Sequence, residues 1–173
     1  MAQSSYSITI KDQTERALWE VGNVIDCVPD SLWDTSYCGM PLWKHIYHVL
    51  HSMDQWFINP RDKNFKEPNI HRPNLNNLDV NTEHRLSRSD ITAYYQDISK
   101  KITAYLDGLN DDMLTQNPEH CQYTRFTLIL AQHRHLHTHM GMLMGFIVAA
   151  THEWPRVIGL EGSIPSGEYD KFF

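Results

Sequence analysis

The chain has 173 residues, of which 41% are hydrophobic and 21% charged, and a formal net charge of −6. That length fits one domain and buries about 70% of the unfolded surface, so neither a disulfide nor a metal is needed for folding. The composition excludes a disordered or low-complexity chain, and the acidic balance argues against a phosphate-binding surface and so against a nucleic-acid partner.

The longest uncharged apolar stretch, Met140 to Ala150, is too short to cross a bilayer as a helix. Met1 to Ile10 has neither a basic segment nor an apolar run of the secretory kind. These features predict a soluble, cytoplasmic protein with no membrane partner. Cys27, Cys38 and Cys121 are odd in number and lack CxxC spacing, which points to reduced thiols and excludes a zinc ribbon.

Four segments carry a helical period. The first, roughly 8 to 28, places Ala17, Leu18, Val21, Val24, Ile25 and Val28 on one face and stops at Pro29. The second, roughly 41 to 58, starts at Pro41 and ends at Asn59-Pro60, with Trp43, Ile46, Tyr47, Leu50, Met53 and Phe57 as its stripe. Residues 59–86 are rich in Asn, Pro and Arg and read as a long crossover. The third helix, roughly 88 to 107, has Ser87 or Ser89 as a cap and an Ile- and Tyr-rich stripe. The fourth, roughly 124 to 151, has Thr124 as its cap. Strand signals are weak. The pattern predicts an all-α four-helix bundle over 1–151. A tail over 152–173, ending in aromatics, would pack on the bundle or on a partner subunit, and a homodimer is expected.

Eleven histidines are about three times the average. Seven fall in two windows: His45, His48 and His51, then His133, His135, His137 and His139. At 100° per residue, His135 and His139 lie inside the apolar arc of the last helix, whereas His133 and His137 lie at its margin or beyond. Imidazoles at i,i+4 sit one turn apart and reach one divalent ion. In the second helix the apolar centre favours His45, places His48 off the stripe and puts His51 on the polar side. Periodicity alone therefore leaves the third ligand open. Asp54, near the apolar stripe, is the candidate catalytic carboxylate. HExxH, GxSxG, GxGxxG and the phosphate-binding loop are all absent.

The run Gly39-Met40-Pro41-Leu42-Trp43-Lys44-His45-Ile46-Tyr47-His48-Val49-Leu50-His51-Ser52, followed by Trp56-Phe57, resembles the second helix of the DinB/YfiT-like superfamily. Arg134-His135-Leu136-His137-Thr138-His139-Met140-Gly141 resembles that superfamily's last-helix signature, H-x-x-x-H-x-G. The resemblance covers most of 1–151. It implies an up-up-down-down four-helix bundle with a long crossover between helices two and three. It also implies one divalent metal, zinc or nickel above others, on His48, His135 and His139, with His45 and His51 as substitutes for His48.

Three histidines leave a coordination position open, which is the layout of a catalytic metal. The resemblance accordingly implies a metal-dependent enzyme acting on a small molecule, either a thiol S-transferase using a low-molecular-weight thiol or a hydrolase. A non-catalytic module that binds a small ligand or a stress-related partner, with a vestigial site, is the alternative. An oligomer that responds to pH through its histidines is a third reading.

Overall fold

A computed structural model describes residues 5–173 and shows a predominantly helical, all-α chain. Four long helices carry it: α1 (Tyr6–Cys27), α2 (Leu42–Trp56), α3 (Arg88–Asp107) and α5 (Arg125–Thr151). A single turn, α4 (Asp111–Leu114), joins α3 to α5, and a two-residue hairpin, β1 (Ser36–Tyr37) and β2 (Met40–Pro41), precedes α2. Periodicity flags neither of these short pieces. Between β1 and β2, Cys38 and Gly39 both take positive φ, which closes the hairpin. No described helix is long and apolar enough to cross a membrane.

The helix starts follow capping chemistry. The Ser5 side chain accepts from the Ile8 amide at α1, and Thr124 accepts from Thr127 at α5. At α3 it is Ser87 that caps: its hydroxyl accepts from the Asp90 amide while the Asp90 carboxylate accepts from the Ser87 amide. Each such bond satisfies an amide that the helix itself leaves without a partner.

Residue pairs between helices set their directions. Lys11 meets Asp107, Tyr95 bonds the Leu18 carbonyl and Arg88 bonds the Ile25 carbonyl, so α1 and α3 are antiparallel. Tyr47 packs on Tyr94, Asp54 meets Lys101 and Phe57 meets Tyr105, so α2 and α3 are parallel. His45 lies near Phe146, His48 near His139 and Ser52 bonds Gln132, so α2 and α5 are antiparallel. The order is therefore up-down-down-up, and the expected up-up-down-down order is corrected. The reason is the placing of the single long connection. The short hairpin passage turns the chain back from α1 into α2, while residues 57–87 carry it along the molecule again so that α3 starts beside the start of α2.

The core is the space these helices share. Leu42, Tyr47, Leu50, Met53 and Phe57 of α2 and its end meet Ile91, Ile98 and Ile102 of α3 and Ile129 and Ile147 of α5, all nearly inaccessible. Leu75, in the long connection, joins them and anchors that segment. Lys44 is fully buried, and its ammonium donates to the Val80 carbonyl, which ties the connection down a second time. Burial without a carboxylate partner pushes the Lys44 pKa down.

The segment after α5 lies along α1. The Asn23 side chain donates to the carbonyls of Arg156 and Lys171, Arg16 donates to those of Gly159 and Gly162, and Tyr169 donates to the Tyr95 hydroxyl. Pro155 and Phe172 pair as an antiparallel bridge, so this segment folds back on itself.

Candidate metal centre

The fold brings His48, His135 and His139 together across the α2–α5 face. One ring nitrogen from each lies within 4.8 Å of the others. His135 and His139 are one turn apart on α5, with ring centroids 4.5 Å apart, and His48 faces them at 5.3 and 4.8 Å. The Nε2 atoms of His48 and His135 are 3.3 Å apart. A tetrahedral ion holding nitrogens at about 2.0–2.1 Å sets them about 3.3 Å apart, so this pair is already at ligand spacing.

His48 is oriented from behind. Its Nδ1–H donates to the Asn76 carbonyl at 2.7 Å, which leaves Nε2 with a free lone pair aimed at His135. Ligating histidines are commonly fixed in this way through the ring nitrogen away from the metal. The buried Nδ1 atoms of His135 and His139 have no partner among the described residues. Burial lowers the pKa of all three rings, and repulsion from neighbouring imidazoles adds to the effect, opposed at His48 by its bond to Asn76; His139 falls to about 4. At neutral pH the three are uncharged, which is the form that binds a cation. The donors and their spacing therefore fit a divalent metal.

The other sequence candidates lie elsewhere. His45 is buried, and its Nε2–H donates to the Tyr37 carbonyl at 2.8 Å. His51 is also buried, contrary to its place on the polar side of the wheel, because the long connection covers that side of α2. Its Nε2–H donates to Glu67 at 2.6 Å. His133 donates to the Thr14 hydroxyl and His137 to the His133 carbonyl one turn back. Asp54 is turned toward α3, where its carboxylate accepts from Tyr94 at 2.9 Å and from Lys101 at 2.5 Å. Its partners are on α3 and not among the three histidines, and no hydrogen bond or ion pair joins a carboxylate to those three among the described residues. Cys27 and Cys121 are buried and Cys38 is exposed, all as free thiols. The Cys27 thiol donates to the Lys171 carbonyl, and burial pushes its pKa up to about 12.

A second group was not visible in the sequence. His51, Glu67 and His71 also place one ligand atom each within 4.8 Å of the others. Glu67 and His71 come from the long connection, where no period marks a residue as inward. The only sequence signal is that His71 belongs to the histidine excess. Asn76 was missed for the same reason, and it touches both groups: its carbonyl holds His48 and its side-chain amide donates to His51 Nδ1 at 3.3 Å.

Between the first turns of α5 and the end of α2 at Trp56 runs an open groove of about 700 Å³. Trp56, Tyr123, Phe126 and Leu130 give it an apolar lining, and Arg134 and Gln132 stand on its walls. Arg134 is exposed, adjoins His135 in sequence and makes no ion pair among the described residues.

No protein-family model, no curated protein and no solved structure was found to match the chain. Its geometry is that of a helical protein with side-chain groups compatible with a divalent metal.

Proposed function

We propose that the protein is a divalent-metal-dependent enzyme of the DinB/YfiT-like kind, a four-helix bundle holding zinc or nickel on His48, His135 and His139. The observation that carries this reading is the convergence of three imidazoles from two helices; a metal held by three histidines would keep a position for solvent or substrate. The reaction is transfer of a low-molecular-weight thiol to an electrophile, or hydrolysis. The metal, when bound, supplies Lewis acidity that favours the deprotonated form of a thiol or water. The chain's own residues do the rest. The Asn76 carbonyl fixes the His48 ring. Trp56, Phe126 and Leu130 exclude water from an apolar substrate body. Arg134 offers an unpaired guanidinium to an anionic group of that substrate, which supports an anionic small molecule with an apolar part. A homodimer in the cytoplasm belongs to this reading.

Two measurements test it. Tag-free protein reconstituted with zinc or nickel should hold a stoichiometric ion at this site, and His139→Ala should lose it while keeping its helical signal. Turnover with thiol and electrophile pairs, or with ester and amide substrates, should fall at least 100-fold in His139→Ala. Wild-type protein that takes up no ion, or equal background turnover in both proteins, would overturn the enzyme reading in favour of a binding module.

A further inference from the structure

We propose that His51, Glu67 and His71 form a second divalent-cation site, one that clamps the long connection onto α2. This does not rest on the three-histidine reading, because its donors are different side chains.

The donor set is two imidazoles and a carboxylate, a combination that suits first-row divalent metals. Both rings face the same oxygen: His51 Nε2 lies 2.6 Å and His71 Nδ1 3.7 Å from Glu67 Oε2. The two rings stack with centroids 5.0 Å apart. Glu67 and His71 are i,i+4 within the connection, and without an ion Tyr47 of α2 bonds His71 Nδ1 at 2.8 Å, a bond that an ion on that nitrogen would replace.

Charge points the same way. No Lys or Arg pairs with Glu67 among the described residues. The Lys101 ammonium, which lies over the Phe65 ring, is engaged by Asp54. A carboxylate with no Lys or Arg partner, facing two imidazoles under partial cover, is a place for a cation.

Asn76 supplies the support that such a ligand needs. Without an ion, His51 donates from Nε2 to Glu67 and accepts at Nδ1 from the Asn76 amide nitrogen. When an ion takes Nε2, the ring proton moves to Nδ1. A half-turn of the Asn76 amide then presents Oδ1 to accept it. The proton count of the ring does not change. The same residue's carbonyl holds His48, so the two sites share one backbone segment.

The test uses zinc alone. Wild-type protein dialysed against Zn²⁺ should hold two equivalents, and the Glu67→Gln/His71→Ala double variant should hold one. Both substituted residues lie in the connection, and Glu67 is half exposed, so the fold should survive. The His48→Ala/His135→Ala/His139→Ala variant should retain the ion that the double variant loses. Asn76→Ala should weaken that ion's binding about 10–100-fold through loss of its contact to His51. A zinc content unchanged by Glu67→Gln/His71→Ala overturns the proposal. Failure of the three-histidine reading would show differently, as a zinc content unchanged by His139→Ala.

Discussion

Single side chains decide how this site behaves with pH. His48, His135 and His139 all have pKa values lowered by burial, as do His71 and His133. In the unfolded chain these rings titrate near pH 6.5. Below that value the unfolded chain binds more protons than the folded one, so folding stability is fully present above about pH 6.5 and is lost as pH falls toward about 4, the value for His139. Metal-free protein should therefore melt about 5 °C or more lower at pH 5 than at pH 7.5 in a calorimetric scan. A flat profile would show that the rings titrate as they do in water. Asp54 gives a complementary prediction. Its carboxylate serves Tyr94 and Lys101 on α3, so Asp54→Asn should leave the metal content at the three histidines unchanged and cost about 1–3 kcal/mol of stability, read from urea unfolding.

At the scale of elements, α3 begins with a reciprocal pair of side-chain bonds between Ser87 and Asp90. Ser87→Ala should cost about 1 kcal/mol and lower the melting temperature by about 2–4 °C, with no change in metal content. The four long helices were legible in the sequence because each carries an apolar stripe and a stop signal, and His135 and His139 were legible because they lie within such a stripe. His48 was not legible from the wheel: it points into the seam between α2 and α5, off the centre of its helix's own stripe. His51 misled for a related reason. A wheel measures one helix against an average core, and it cannot register Glu67, His71 and Asn76 arriving from an aperiodic segment to cover the polar side. Helix directions were also outside the reach of periodicity, which is blind to the sense in which a helix runs.

For the molecule as a whole, the segment after α5 closes over α1 at Gly22. A Cβ there would collide with the Tyr169 hydroxyl and come within 2.6 Å of the Tyr95 hydroxyl. Gly22→Ala should cost about 1–3 kcal/mol and make the segment after Thr151 more sensitive to limited proteolysis. Adding Tyr169→Ala should recover part of the loss, so the two substitutions should be less than additive in thermal unfolding. An additive pair would mean that the tyrosine does not press on this glycine.

The ligands of the three-histidine centre are separated by 87 residues, from His48 to His135, with α3 and the whole long connection between them. A nascent chain on the ribosome has α2 long before it has α5. Until the last helix emerges, only one of the three imidazoles is in place, and a lone imidazole competes poorly for a metal. On the proposed metal reading, loading of this centre is therefore a late event in synthesis, and a chain cut short before residue 135 carries no such centre, however well its first three helices are made.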